Sequence, residues 1–159
     1  MRPTYFWTLT LMAFHVFLQE GCDVSIIEVG AGARSDCTNC LQKPLVSAAS
    51  SIGLAHVGDL GRNTAEIAWE KGGIYKSGVP GLTLQQDEYR VHKVLENCAR
   101  SRGAAYFTCV EKVDWLDSIE LGRSPSIICS AGSSASSVAA LTVVCLLANS
   151  RSGRAASAK

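Results

Sequence analysis

Charge of either sign is scarce in this sequence: only 18% of its residues are charged, and 15 Lys and Arg against 14 Asp and Glu leave a formal net charge of +1. Such a surface offers no field to gather nucleic acid and no polybasic face for an acidic bilayer, so any partner has to be recognised by a local site. A membrane-spanning run is missing as well. The apolar stretch at 5–18 follows a basic start like that of a secretory signal, but His15 interrupts it and Gln19 and Glu20 stand where small cleavage-site residues belong. It also falls short of the roughly 20 apolar residues that a bilayer needs, and it reads as a buried helix. Disulfide density is missing too: the seven cysteines are odd in number and scattered, which fits free thiols in a reducing compartment. Cys37 and Cys40, in CTNC, are the one close pair. With no second Cys/His pair at ligand spacing they read as ordinary structural thiols rather than a zinc or redox site. No G-x-x-x-x-G-K-[ST] run occurs in the 159 residues.

What is present suits one domain, since 47% of the residues are hydrophobic. Leu9, Met12, Ala13 and Val16 fall at helical spacing within 5–20, and Phe14 and Phe17 make other faces apolar, so this helix is expected to be covered on more than one side. Gly21 ends it. DVSIIEV at 23–29 reads as a strand of a doubly covered parallel sheet, followed by a glycine-rich turn at Gly30 and Gly32. A weaker strand at 44–52, a helix at 64–71 capped by Thr64 and stopped by Gly72 and Gly73, a strand at 79–84, a helix at 87–102 and a strand at 105–110 complete the regular pattern. The alternation predicts an α/β fold, a layered and mostly parallel sheet with helices on both faces, whose ligands collect at the carboxyl ends of the strands. Beyond 117 the pattern weakens to a strand at 126–129 and an apolar helix at 137–148, and 150–159 reads as a disordered basic tail. No internal repeat is visible.

Three residues stand where chemistry would be expected. Glu28 ends a strand just before Val29-Gly30-Ala31-Gly32, which puts a carboxylate suited to a hard cation at the ligand-binding rim. EVGAGA also resembles the first motif of nucleotide-cofactor methyltransferases. Dinucleotide-binding relatives of that motif carry an acidic residue at the end of the next strand, and 44–56 contains none. His56 follows a strand at the same rim; a lone loop histidine is more often a structural hydrogen-bonder than a ligand. Lys71 closes AWEK before two glycines, where on spacing alone it reads as a solvated lysine at a helix carboxyl terminus.

Taken together, EVGAGARSDCTN, SSIGLAHVGDLG and IAWEKGGIYKSGVP stand in the order and spacing of the folylpolyglutamate synthase family, and LTLMAFHVFLQE upstream is similar to it too. The resemblance runs from about residue 5 to 83 and more faintly to 109. It implies a partial Mur-ligase-like central, P-loop-NTPase-like ATP-binding domain over 1–149. The implied reaction is addition of L-glutamate to the γ-carboxylate of folate or tetrahydrofolate polyglutamate, through an acyl phosphate made from ATP. The resemblance implies Glu28 and His56 as Mg2+ ligands and Lys71 as a lysine carbamylated by carbon dioxide. Gly30, Gly32, Asp36, Thr38 and Asn39 would line the nucleotide and substrate site, the DxTN segment shaping it by hydrogen bonding. The expected partners are the folate, L-glutamate and ATP, with no nucleic acid and no membrane, in a monomer of the cytoplasm or, alternatively, the mitochondrion.

The sequence also departs from the family pattern. Ala55 replaces the acidic residue usual before the histidine, and Ser134, Ala135 and Val138 stand where the family has the His, Gln and Asn of a GxHQxxNAxL segment. The family's phosphate loop and carboxyl-terminal domain are not found in these residues, so the expectation is an internal fragment inactive alone. A non-catalytic interaction module derived from the ligase is the alternative from another class, and a methyltransferase a distant third.

Overall fold

Gly21, at a φ of 64° that side chains resist, turns the chain from its first helix, α1 (Tyr5–Gln19), into its first strand, β1 (Val24–Glu28). The computed structural model describes residues 4–110 together with the backbone of a strand at 143–148. After β1 come a 3-10 turn (Cys37–Cys40), β2 (Ser47–Ala49), α2 (Thr64–Lys71) and a second 3-10 turn (Gly72–Ile74). β3 (Gly81–Leu84), α3 (Tyr89–Arg102), β4 (Phe107–Val110) and β5 (Val143–Ala148) complete the order.

The strands form one sheet in the order β1-β5-β2-β3-β4. β2, β3 and β4 pair in parallel, with Ala48 opposite Leu82 and Leu82 opposite Thr108. β5 runs antiparallel between β1 and β2, with Leu146 opposite Ile26 and Val144 opposite Ala48. Four strands therefore point one way and a single reversed strand joins them, which is the mostly parallel α/β architecture expected. The carboxyl ends of β1, β2, β3 and β4 share one edge, the edge where ligands of such sheets bind.

The core gathers under α2 and α3. Val91, Leu95, Cys98 and Ala99 recur at helical spacing as the buried stripe of α3, and Ala68, Ile74 and Tyr75 meet them from the α2 side. Tyr75 is fully buried; its hydroxyl donates to the Leu82 carbonyl at 3.1 Å and its ring meets Phe107 edge-on at 5.6 Å. Burial pushes its phenol far above the usual tyrosine range.

Three expectations are corrected. The apolar segment at 137–148 contributes a strand at 143–148 rather than a helix; a short apolar run has the same pattern in either state, and sheet pairing on both sides decides it. α1 is not covered on several sides by the described residues: Thr10 is its one buried residue, while Tyr5, Trp7, Leu11, Met12 and Leu18 are exposed. Only one of its apolar faces meets β1 and the first 3-10 turn, around a cavity of about 220 Å³ that includes Phe6, Phe14, Phe17 and Ile26. Finally, α2 is capped by Asn63 and not by Thr64. The Asn63 side chain accepts from the Glu66 amide at 3.0 Å while a Glu66 carboxylate oxygen accepts from the Arg62 amide, a reciprocal cap. The strand expected at 126–129 and the tail at 150–159 lie outside the described residues. No described helix is long and apolar enough to cross a membrane.

Candidate functional site

The site grows from the way α2 ends. Instead of stopping at Gly72, the chain tightens into the 3-10 turn Gly72–Ile74 and sinks. Both glycines are needed for close approach. A Cβ on Gly72 would stand 2.7 Å from the Cβ of Cys98 in α3, and one on Gly73 would stand 2.6 Å from the Arg34 Cα. The missing side chains let the carboxyl end of α2 wedge between α3 and the loop that follows β1. Lys71, the last residue of α2, goes down with it and is only 8% exposed. Its amine has no hydrogen-bond or ion-pair partner among the described residues, and burial lowers its pKa below the ordinary lysine value. The solvated lysine that spacing alone suggests is thus replaced by a largely buried lysine whose partly desolvated amine has a lowered pKa.

The loop after β1 is fastened to that helix end. The Arg34 amide donates to the Glu70 carbonyl at 3.1 Å. The Arg34 guanidinium donates to the Trp69 carbonyl at 3.0 Å and lies 3.5 Å over the Trp69 ring. The Asn39 side-chain amide donates to the carbonyls of Ala33 (2.7 Å) and Gly73 (3.1 Å). Asp36 organises the loop itself, accepting from the Ala31 amide at 3.0 Å, from the Thr38 amide at 2.9 Å and from the Thr38 hydroxyl. Lys76 donates to the Asn39 carbonyl at 3.0 Å and ties the same turn to the chain beyond α2.

The glycines of this loop are explained by the chain's own packing. A Cβ on Gly30 would strike the Phe6 ring at 2.6 Å and approach the Asp36 carboxylate at 3.3 Å. Gly32 has a φ of 63°, and a Cβ there would meet the Leu60 side chain at 2.9 Å. Leu60 belongs to the turn opened by His56, whose carbonyl accepts from the Asp59 and Leu60 amides at 3.1 and 3.0 Å. His56 is the one described non-glycine residue with positive φ, 53°, a conformation that costs on the order of 1 kcal/mol or more outside glycine. Its imidazole is exposed.

Glu28 is the final residue of β1; it is exposed, engages in an interaction of its own and borders the cavity between α1 and β1. The packing therefore links three segments, the β1 loop, the His56 turn and the end of α2. It does not close their side chains into a cage: among the described residues no three His, Cys, Asp or Glu groups gather to hold a metal ion. A carboxylate and an imidazole are donor types that divalent cations accept, the imidazole being the less typical for a hard ion. Sequence reasoning missed Arg34, Trp69 and Leu60, whose roles depend on contacts about 30 residues away in the chain. The Asn63 cap was missed too, although an Asn three residues before Glu66 is a spacing that could have found it.

No family model matches the chain. The mitochondrial folylpolyglutamate synthase of Homo sapiens is 45% identical over 123 residues, which is 77% of this chain and 20% of that protein. A solved folylpolyglutamate synthase in complex with AMPPCP and folate is 31% identical with a TM-score of 0.64, over 68% of this chain and 26% of that one. A bifunctional folylpolyglutamate synthase/dihydrofolate synthase from Yersinia pestis, in complex with AMPPNP and a Mn ion, is 33% identical with a TM-score of 0.60, over 68% of this chain and 25% of that one. Fold and site together define an α/β sheet protein with its candidate site at the carboxyl edge of the strands. By its likeness in sequence and structure, the chain belongs to the folylpolyglutamate synthase family. It spans about a fifth of the length of the human relative.

Proposed function

We propose that the described residues form the metal and lysine side of an ATP-dependent ligase site, which adds L-glutamate to the γ-carboxylate of folate or tetrahydrofolate polyglutamate. The observation that carries this reading is the largely buried Lys71 at the end of α2, whose partly desolvated amine has no partner among the described residues. A surface lysine would be protonated almost throughout. A desolvated one supplies the neutral amine that attacks carbon dioxide, forming an N–C bond and releasing a proton to leave a carbamate. That step converts the cation into an oxygen ligand, the type that a hard divalent metal prefers.

Glu28 and His56 would hold the cation together with that carbamate, and Mg2+ bound there would neutralise charge on the phosphoryl group transferred from ATP. The chain's own contribution is positioning. Asp36 and Asn39 fix the loop that carries Gly30 and Gly32, Thr38 closes the Asp36 cradle, and Arg34 stacked on Trp69 holds the helix end that presents Lys71. The names of the related structures, which include folate, ATP analogues and a Mn ion, support this assignment of substrates and metal class. The proposed setting is a monomer in the cytoplasm, or in the mitochondrion as the human relative's name has it.

The first experiment is carbon-13 NMR of the chain in ¹³C-bicarbonate, where a carbamate resonance is expected in the wild type and not in Lys71→Met. A wild-type spectrum identical to that of the variant overturns the assignment of Lys71. A glutamate-addition assay with ATP, Mg2+ and tetrahydrofolate is the companion. The 159 residues alone, which hold no phosphate-cradling loop, are expected to show no turnover, and robust turnover refutes the division of labour proposed here.

A further inference from the structure

The proposed function leaves Cys37 and Cys40 unused, although they stand beside the site. Both are free thiols, and they occupy the two ends of the 3-10 turn Cys37–Cys40. In a 3-10 helix the side chains of residues i and i+3 eclipse, and a rise of about 2 Å per residue separates their Cα atoms by roughly 6 Å. That lies inside the window of about 4.4–6.8 Å that a disulfide accepts. Asn39, at φ −82° and ψ 16°, departs from helical geometry within the turn and supplies a joint at which the spacing can adjust. Both cysteines border one cavity of about 290 Å³ between α1 and the β1 loop, together with Trp7, Thr10 and Asp36. Their access differs: Cys40 is exposed, whereas Cys37 is half-buried with its sulfur 3.3 Å from the Thr10 hydroxyl.

We propose that Cys37 and Cys40 are a vicinal dithiol modification site that closes to an internal disulfide by exchange with a small-molecule disulfide of the glutathione type. The exposed Cys40 thiolate attacks one sulfur of the reagent, breaking its S–S bond and releasing one thiolate. The Cys37 thiolate then attacks the Cys40 sulfur of the mixed disulfide and releases the second. Two electrons pass from the protein pair to the reagent, and its two thiolates take up the two protons that the cysteines lose. The new bond brackets Thr38 and Asn39, and Asn39 holds the carbonyls of Ala33 and Gly73. Oxidation therefore clamps the turn that fastens the β1 loop to the end of α2.

The test is oxidised glutathione added to the fully reduced 159-residue chain, followed by intact-mass measurement and peptide mapping. The wild type is expected to lose two hydrogens, about 2 Da, in a peptide that joins Cys37 to Cys40. Cys37→Ser is expected to stop at a glutathione adduct on Cys40, and Cys40→Ser to form its adduct on Cys37 more slowly. The wild-type map decides the matter whatever the variants do. A lasting glutathione adduct on Cys40 beside a free Cys37, or internal bonds that join other cysteines instead, overturns the proposal.

Discussion

Replacing Lys71 by Met is expected to make the protein more stable at neutral pH, the reverse of what removal of a residue at a functional centre usually suggests. Lys71 is 8% exposed as a residue, and its partly desolvated amine has no described partner. In protein substitutions an unpaired buried polar group costs about 1–3 kcal/mol. A cation at a helix carboxyl terminus recovers about 0.3–1 kcal/mol of that. Met keeps the long unbranched stem and removes the charge, so Lys71→Met should gain roughly 1–2 kcal/mol, near the middle of the span of about 0–2.7 kcal/mol that those two ranges leave. For a chain of this size that is a rise of about 2–8 °C in the thermal midpoint.

The pH dependence makes the test sharper. Burial lowers the folded-state pKa of Lys71 below its ordinary 10.5. Between the two values the unfolded chain holds a proton that the folded chain has lost, so wild-type stability rises with pH across that window. The cost of Lys71 is complete below its folded pKa and fades as pH approaches 10.5. Urea unfolding followed by tryptophan fluorescence, in buffer freed of carbon dioxide, at neutral pH and again near pH 10, measures both effects. The advantage of Lys71→Met should shrink at the higher pH. A variant less stable than wild type at neutral pH, or an advantage that does not change with pH, refutes the claim that the amine is buried at a cost.

Three further substitutions test the frame around the site. Asp36→Ala strands the Ala31 and Thr38 amides and the Thr38 hydroxyl and should cost about 1–3 kcal/mol in urea unfolding; an unchanged midpoint would show that water replaces the carboxylate freely. Gly73→Ala places a methyl group 2.6 Å from the Arg34 Cα and 2.9 Å from its nitrogen. Because backbone cannot swing aside, a loss of about 1–3 kcal/mol is expected, together with faster proteolysis of the β1 loop. Tyr75, its phenol raised by burial, should stay protonated where an ordinary tyrosine, with a pKa near 10, ionises. Absorbance titration of wild type against Tyr75→Phe should therefore show the same tyrosinate signal until the protein unfolds, and an extra transition in the folded wild type would contradict the burial.

How much of this was legible beforehand depends on how far each feature reaches along the chain. Local signals survive well: the alternation of helices and strands, the buried stripe Val91, Leu95 and Cys98, and the turn at Gly21 rest on neighbours a few residues apart. Misreadings arose where a distant partner decides. The apolar run at 143–148 is a strand because β1 and β2 hydrogen-bond to it from either side, and nothing local in VVCLLA separates that outcome from a buried helix.

Lys71 is the sharper case. Its immediate neighbours, Glu70 before it and two glycines after, describe a solvated helix end, and the helix-terminus rule supports that reading. What lets the helix end that carries Lys71 sink is the close approach of Cys98 on α3 and Arg34 in the β1 loop, each packed into the space that Gly72 and Gly73 leave empty. A glycine pair after a helix therefore carries two meanings that sequence cannot separate, a stop or a slot. Here it is a slot, and the difference bears on the chemistry: a stop would leave the lysine in water, whereas the slot largely buries it and lowers its pKa. Arg34 then acquires a defined role, since its packing on Gly73 and its bonds to the Glu70 and Trp69 carbonyls hold the helix end that carries Lys71. Arg34→Ala is accordingly expected to raise the pKa of Lys71 toward its ordinary value and to weaken the ¹³C carbamate resonance without abolishing the fold. Burial is what lowers the Lys71 pKa, so Arg34→Met separates the packing of the side chain from its hydrogen bonding. If Met restores the carbamate signal, packing over Trp69 is what matters; if it does not, the guanidinium's hydrogen bond to the Trp69 carbonyl is the part that holds the helix end in place.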